Sequence, residues 1–349
     1  MIIDIHGHLS PPEAAERFPM PPSLTDVDGM LAARAQAGID LTIIGSPVGA
    51  GAMARVPGVD NYAQPRDRLR GFHAWMSGLI AKFPDQLRGY VYANPFGDDD
   101  HLEGVRETLA DPAFVGLITT SSVHGELLGS PRADSFFALA AEAGVPVLVH
   151  APAEPVGTER VDEIGFVEQI GRFGDLTIGM AMIAFAGWLE KYPGLRLIGA
   201  TGGGAMALLP ERLQTAARPR HWAGGAPPAG RPTAPASAAG AKAPGSAPPS
   251  AEAPAAAKAP PADRAPAADP IAALRRMYVD TSPFSQAHLS LNAEVLGPER
   301  MLFGTDSPPM AAPLEDFVRM IEKLPVDKAA QQRILGGNAE DLFDLRSRP

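Results

Sequence analysis

The sequence predicts a (β/α)8 barrel, the α/β fold in which eight parallel strands alternate with helices. Two observations predict it. Eight short runs of β-prone, largely apolar residues recur along the chain, and longer helical patterns lie between them. Continuous apolar strands are typical of a parallel sheet that helices cover on both faces. Repeated strand–helix alternation then favours closure into a barrel.

The order of these elements is regular over most of the chain. The predicted strands are residues 1–4, 41–46, 88–95, 114–120, 145–150, 195–201, 277–282 and 300–306. The predicted helices are residues 26–37, 66–83, 101–110, 134–143, 178–192, 205–216, 286–296, 314–322, 328–335 and 339–343. A doubly wound open sheet is the alternative. It would require a glycine-rich phosphate loop after an early strand, and the stretch IDIHGH is not such a loop.

Composition excludes several classes of protein. The chain has 349 residues, a net charge of −10 and no cysteine, so it forms neither disulfides nor a thiolate zinc site. The sequence has no basic patch, so nucleic-acid binding is not predicted. No apolar run reaches the ~18 residues needed to span a bilayer, and the first residues do not have the pattern of a signal peptide. We therefore expect a cytoplasmic protein that binds neither membranes nor nucleic acids.

Residues 223–268 differ in composition from the rest of the chain. They consist mainly of Ala, Pro and Gly and contain no Val, Ile, Leu, Met or Phe. Such a segment buries too little apolar surface to offset the entropy lost on ordering. We predict a disordered insertion between strands six and seven of a single barrel domain, 1–349, dispensable for folding. A tolerated surface insertion is favoured over a lid or tether.

Four potential metal ligands follow three of the predicted strands. His6 and His8 come after strand one, His150 ends strand five, and Asp306 ends strand eight. Residues i and i+2 of a strand point the same way, so His6 and His8 can face one ion. Active sites of such barrels lie at the carboxyl ends of the strands. Three nitrogens and one carboxylate predict a divalent metal site, with zinc expected and manganese as the alternative.

Other residues near the strand ends are weaker candidates. Asp280 could orient a ligand or cap the following turn, and the glycines at 202–204 could approach a substrate or form a tight turn. A substrate carboxylate would require a cation. The arginines considered for that role are Arg55, Arg66, Arg132 and Arg160.

Several stretches resemble the amidohydrolase superfamily, within it the branch of aminocarboxymuconate semialdehyde decarboxylase. They are IDIHGH, VPVLVHAP, WLEKYPGLRLIGATGGGA, MYVDTS, MLFGTDSP and RILGGNAEDLF. These stretches extend from Ile3 to Phe343. The resemblance implies a metal held by His6, His8, His150 and Asp306, decarboxylase activity, and a homodimer.

One position departs from this resemblance. Family members usually have Ala-His-Gly-Gly-Gly where this chain has threonine at 201, and the family histidine is thought to act as the general base. A threonine hydroxyl cannot shuttle a proton near pH 7 as imidazole does. Either the reaction needs no such base and Asp306 manages the proton, or His124 or His288 replaces it, or the original activity is lost and the metal site is kept.

The sequence thus predicts a metal-dependent, cofactor-free lyase. The favoured reaction is non-oxidative decarboxylation of a small carboxylated substrate, aromatic or conjugated, with Asp306, His288 and Thr201 as the candidate catalytic residues. The alternatives are a hydrolase or hydratase in which the metal activates water, and a catalytically altered protein that retains the metal.

Overall fold

The barrel predicted from the sequence is confirmed by a computed structural model, which describes residues 1–217, 269–310 and 312–346. Its main sheet has eight strands, all parallel, in the order β1-β2-β3-β4-β7-β8-β9-β10. Its strands are β1 (Ile3–Gly7), β2 (Leu41–Ile44), β3 (Leu87–Tyr92), β4 (Phe114–Thr120), β7 (Val147–His150), β8 (Leu197–Gly199), β9 (Tyr278–Asp280) and β10 (Met301–Leu302). A small antiparallel hairpin, β5 (Ser122–Val123) and β6 (Glu126–Leu127), follows β4.

The sheet closes between its first and last strands. The backbone N–H of Ile5 donates to the Phe303 carbonyl at 2.9 Å, and that of His8 donates to the Ser307 carbonyl at 3.1 Å. Gly7 and Ser307 form a parallel bridge beside these bonds. The extension of β1 and the segment after β10 are thereby held side by side.

Helices surround the sheet. They are α1 (Pro12–Ala15), α2 (Val27–Gln36), α3 (Arg66–Lys82), α4 (Asp99–Leu109), α5 (Asp134–Ala143), α6 (Ile164–Phe166), α7 (Arg172–Ala186), α8 (Trp188–Lys191), α9 (Pro210–Ala217), α10 (Pro270–Leu274), α11 (Gln286–Val295), α12 (Leu314–Glu322), α13 (Lys328–Gln332) and α14 (Asn338–Leu342). None of these described helices combines the length and apolar character needed to cross a membrane.

The position of the core explains why polar and apolar residues do not alternate along the strands. Ile3, Ile5, Val147, Leu148 and Val149 are all fully buried, although neighbours in a strand point to opposite faces. One face of each strand fills the barrel interior and the other packs against the surrounding helices. Both faces therefore require apolar side chains.

Most observed strands are shorter than predicted, and three other differences affect the placement of elements near the centre. The first strand is Ile3–Gly7 rather than 1–4, which places His6 inside it. The helix predicted at 178–192 begins earlier and breaks at Gly187, whose φ of +73° ends α7. The helix predicted at 205–216 begins only at Pro210, after a 3-10 turn at Met206–Leu208. The predicted insertion at 223–268 lies outside the described residues.

Candidate metal centre

Three histidines and one aspartate converge at the carboxyl ends of β1, β7 and β10. One ligand atom from each of His6, His8, His150 and Asp306 lies within 4.8 Å of the others. The Oδ1 atom of Asp306 is 3.5, 3.0 and 3.9 Å from the Nε2 atoms of the three histidines in that order. The imidazole rings stand nearly perpendicular to one another. The four side chains thus surround a single point.

Hydrogen bonds at the other side of each ring set the direction of the imidazole lone pairs. Nδ1 of His6 is 2.5 Å from Asp280 Oδ2, that of His8 is 2.9 Å from the Gly45 carbonyl oxygen, and that of His150 is 2.8 Å from the carbonyl oxygen of the next residue. Each Nδ1 is engaged with one of these acceptors, and each Nε2 faces the centre. The Nε2 atoms of His6 and His150 are buried and have no hydrogen-bond partner among the described residues. This donor set fits a divalent metal ion.

The electrostatics of the centre are dominated by its carboxylate. Burial lowers the pKa of His6, but the charges of Asp306 and Asp280 overcome that effect and raise the pKa to about 9. Burial lowers the pKa of His150 to about 4. For Asp306, burial would raise the pKa, yet the neighbouring rings of His6, His150 and His8 hold it well below its usual range. Asp306 therefore stays ionised and presents a negative charge to a cation.

A group of buried polar residues, here called the floor, lies beneath the centre and comprises Asp4, Arg34, Asp280 and Thr305. Asp4 Oδ1 accepts from the backbone N–H groups of His6 and Thr305, both at 3.0 Å. Asp4 Oδ2 accepts from Thr305 Oγ1 at 2.7 Å and from Arg34 Nη2 at 3.2 Å. The floor therefore fixes the backbone that carries His6 relative to the backbone that carries Asp306.

Asp280 has both of the functions considered for it from the sequence, which are to orient a ligand and to cap a turn. Its Oδ2 accepts from His6 Nδ1 and from Ser282 Oγ, the latter at 2.8 Å. Its Oδ1 accepts from the backbone N–H of Gly202 at 2.8 Å. Asp280 thus orients one metal-facing ring and also holds the turn that contains Thr201.

Thr201 lies immediately after β8, in a strained backbone conformation. Its φ is +47°, a left-handed value that β-branched residues rarely adopt, and Gly202, Gly203 and Gly204 continue the turn with φ of +65°, +74° and +62°. The neighbouring Ala200 donates its backbone N–H to Val149 at 3.0 Å. Thr201 is therefore placed between the strand that carries His150 and the strand that carries Asp280.

The two histidines proposed to replace a base lie outside the four-residue centre. His288, on α11, packs against the Thr201–Gly204 turn, since a Cβ built on Gly202 would lie 2.9 Å from its Nε2 atom. Burial lowers the pKa of this imidazole. The His124 side chain is 56% exposed and pairs with Asp60 at 3.1 Å. Of the two, His288 is the one beside Thr201.

The arginines considered from the sequence have exposed positions. Arg55 lies 3.9 Å from Glu154, Arg132 pairs with Glu126 at 2.6 Å, and Arg160 is exposed. Arg66 pairs with Asp100 and Glu107 from the outer helix α3.

Sequence reasoning missed two arginines, of which Arg34 is buried and Arg172 is partly buried. Arg34 belongs to the floor, and Arg172 begins the helix after His150. Arg34 gave no sequence signal, because an arginine within an amphipathic helix is normally solvated. Asp4 could have been found, since it is a carboxylate inside the otherwise apolar run that leads to His6.

Comparisons with known proteins agree with this architecture. A family model described as Amidohydrolase matches residues 3–345. A 2-amino-3-carboxymuconate-6-semialdehyde decarboxylase of Dictyostelium discoideum is 20% identical over 302 residues, covering 84% of this chain and 72% of that protein.

Two solved structures share the fold. A 5-carboxyvanillate decarboxylase from Sphingomonas paucimobilis superposes with a TM-score of 0.73 at 17% identity, covering 99% of both chains. A dihydroxybenzoic acid decarboxylase from Polaromonas sp. JS666, crystallised with manganese and the inhibitor 2-nitroresorcinol, gives a TM-score of 0.71 at 18% identity, covering 99% of this chain and 97% of that one.

Proposed function

The chain belongs to the amidohydrolase family and is an enzyme of that superfamily, and from this membership and the four converging side chains we propose that it is a metal-dependent decarboxylase. Its substrate would be a small aromatic or conjugated carboxylic acid. The observation that carries the proposal is the pair of buried Nε2 atoms, on His6 and His150, that face Asp306 and have no hydrogen-bond partner in the described part of the chain. The decarboxylases among the compared proteins support the choice of reaction.

The metal would be held by His6, His8, His150 and Asp306. The donor set suits zinc, and manganese is the ion present in the structure of the Polaromonas relative. When bound, the ion would supply positive charge that holds and polarises an oxygen of the substrate. Elemental analysis of the purified protein, followed by reconstitution with each ion separately, decides between zinc and manganese.

Asp306 is the proposed proton-handling group. Its side chain is 26% exposed, whereas the side chains of His6 and His150 are 0% and 8% exposed, so the carboxylate reaches from the centre towards solvent. Loss of CO2 leaves a carbanion that must gain a proton. Because Asp306 is ionised, it would first accept that proton from solvent or from a substrate hydroxyl and then transfer it to the carbanion. His288 is the second candidate.

Thr201 is proposed to occupy the place of the histidine that the family resemblance leads us to expect. The native reaction would then proceed without a base at this position, with the threonine positioning substrate or water. Its strained backbone supports a functional role, because such conformations persist where the surrounding structure imposes them.

Isotope incorporation tests the reaction class. Metal-loaded protein is incubated with a panel of hydroxylated benzoates in D2O and, separately, in water labelled with oxygen-18, and CO2, product deuterium and labelled oxygen in the product are measured. A decarboxylase releases CO2 and places one solvent deuteron on carbon. Solvent oxygen in the product, without CO2, would instead identify a hydrolase or hydratase. Tight metal binding with no turnover of any substrate would favour a protein that has lost its catalytic activity.

A homodimer and a cytoplasmic location remain predictions. Light scattering coupled to size-exclusion chromatography tests the first, and cell fractionation tests the second.

A further inference from the structure

His150 differs from His6 in the group that holds its ring. Nδ1 of His6 faces the carboxylate of Asp280, which is itself fixed by further hydrogen bonds. Nδ1 of His150 is 2.8 Å from the carbonyl oxygen of Ala151, the next residue along the chain. That carbonyl begins a stretch without helix or strand, which connects β7 to α6. The direction of the His150 ring therefore depends on what fixes this stretch.

Asp175, on α7, is a buried carboxylate that holds the stretch in place. The residue is fully buried, and its Oδ2 accepts from the backbone N–H of Val156 at 2.8 Å. The same atom accepts from Ser122 Oγ at 2.7 Å, and Oδ1 accepts from Ser121 Oγ at 2.6 Å. A buried carboxylate is tolerated when its oxygens are hydrogen-bonded. These contacts tie α7 to the segment after β4 and to the segment after β7.

Ser121 connects Asp175 to the backbone of His150. Its Oγ donates to the carboxylate, and its backbone N–H donates to the His150 carbonyl oxygen at 2.8 Å. The helix also packs directly on this serine at Gly179, about one turn after Asp175. A Cβ built on Gly179 would lie 2.6 Å from Ser121 Cβ and 3.0 Å from its carbonyl oxygen. Ser121 is thus held between α7 and His150.

We propose that Asp175 is a positioning residue for His150, which it orients towards the metal through two connections. Ser121 fixes the backbone of His150, and Val156 fixes the stretch whose first carbonyl, that of Ala151, binds the ring. This inference rests on the proposed function, because it takes His150 to be a metal ligand. Removing a group that orients a ligating imidazole typically weakens metal binding by about 10–100-fold. Asp175 acts through other residues, so we expect its effect at the lower end of that range.

Ser122 provides a matched control for Ser121. Both serines are fully buried, and both donate to the Asp175 carboxylate at nearly the same distance. The backbone of Ser122 pairs with Leu127 in the β5–β6 hairpin, whereas that of Ser121 binds His150. The two side chains therefore share one acceptor, and only one of them is connected to the proposed ligand.

Metal affinity and the spectrum of bound cobalt test the proposal without turnover. Competition with a chelator measures zinc affinity, and the visible absorption of Co²⁺-loaded protein reports the coordination geometry. We expect Ser121→Ala to weaken zinc binding by about 3–10-fold and to change the cobalt spectrum, because the His150 backbone loses its anchor. Ser122→Ala should leave both unchanged. Urea denaturation should show similar losses of stability in the two variants, since each removes one buried hydrogen bond to the same carboxylate.

Asp175→Asn tests the carboxylate itself, because the amide replaces one acceptor oxygen by a donor. We expect zinc binding about 10-fold weaker than in the wild type. If this variant fails to fold, the two serine variants still decide the question.

Equal zinc affinities in Ser121→Ala and Ser122→Ala, with identical cobalt spectra, would overturn the proposal and show that Asp175 only supports the fold. Zinc binding that depends on Ser121 as expected, in a protein that releases CO2 from no substrate, would overturn the decarboxylase proposal alone.

Discussion

The floor and the barrel centre differ in the hydrogen bonding of their buried polar atoms. In the floor, both oxygens of Asp4 and both oxygens of Asp280 accept hydrogen bonds. At the centre, Nε2 of His6 and Nε2 of His150 are buried and have no hydrogen-bond partner among the described residues, and the same holds for Nε of Arg172. The atoms of the two groups are thus similarly buried. They differ in whether their hydrogen-bonding capacity is satisfied by the described part of the protein.

Two arginines, one buried and one partly buried, show this contrast in one residue type. Arg34 donates from Nε to Thr42 Oγ1 at 2.9 Å, and from Nη2 to Asp4 and to the Ser307 carbonyl oxygen. Its charge is compensated by a buried carboxylate. Arg172 pairs with Glu168, which is 38% exposed, at 3.6 Å, and its Nε has no hydrogen-bond partner among the described residues. Arg34 is thus the more completely satisfied of the two.

Removing a ligand-facing group should produce the largest effect. We expect His150→Ala and Asp306→Asn to bind metal at least about 100-fold more weakly and to release no measurable CO2, because each removes a ligand that the others cannot replace. Elemental analysis after dialysis measures the bound metal. His124→Ala, which removes an exposed histidine, should retain full occupancy. Full occupancy in both site variants would refute the ligand assignment.

Breaking the floor should instead cost stability. Arg34→Met leaves the carboxylate of Asp4 buried without its cation, and we expect the free energy of unfolding to fall by about 3–5 kcal/mol. Urea denaturation measures the change. Arg172→Met is the matched variant, and its loss should be much smaller because no buried carboxylate depends on it. Equal losses in the two variants would show that Arg34 and Arg172 contribute equally to stability.

Asp280 joins the two regions, so its substitution should affect metal affinity without unfolding the protein. We expect Asp280→Asn to weaken metal binding by about 10–100-fold, since the orientation and basicity of the His6 ring depend on that carboxylate. Competition with a chelator measures the affinity. Ser282→Ala removes another hydrogen bond to the same carboxylate and should change the affinity only a few-fold.

His73 provides a satisfied buried histidine whose effect should be on stability alone. Its Nε2 accepts from the backbone N–H of Tyr92 at 3.1 Å, and burial lowers its pKa from 6.5 to about 3. Below pH 6.5, His73 is protonated in the unfolded chain but stays neutral in the folded chain, so the free energy of unfolding falls as pH decreases. The contribution of His73 should approach about 1.4 kcal/mol per pH unit between pH 6 and 4.

Urea denaturation of the wild type and of His73→Gln across this pH range measures that contribution as a difference in slope. Parallel pH dependences in the two proteins would show that His73 does not remain neutral on folding. Metal occupancy at neutral pH should be the same in both.

Thr201→His should have the smallest effect on the native reaction. If the reaction runs without a base at this position, the rate on the protein's own substrate should stay within a few-fold or decrease, because the larger ring fills space. A positioned base typically contributes ~10²–10⁴-fold. A gain of that size would show that the chemistry still requires the histidine. Thr201→Ala separates a hydroxyl that only packs from one that positions substrate or water.

The parts predicted from the sequence are those that depend on local pattern. The spacing of His6 and His8, and the placement of His150 and Asp306 after apolar runs, predicted one cluster, and the barrel brings the four together. Arg34 and Arg172 could not be predicted in the same way. The burial of Arg34 depends on how the last strand closes against the first, and that of Arg172 depends on an irregular turn held to a distant loop at Met53.

The closure between β1 and the segment after β10 has a consequence for the order of events during synthesis. His8 and Asp306, 298 positions apart, face the same point. The ribosome therefore releases the first two histidines long before the carboxylate that completes their site. A nascent chain that has not yet emerged past Asp306 cannot hold the ion through all four ligands. Metal binding through all four ligands is thus confined to a late stage of biogenesis, after Asp306 has emerged.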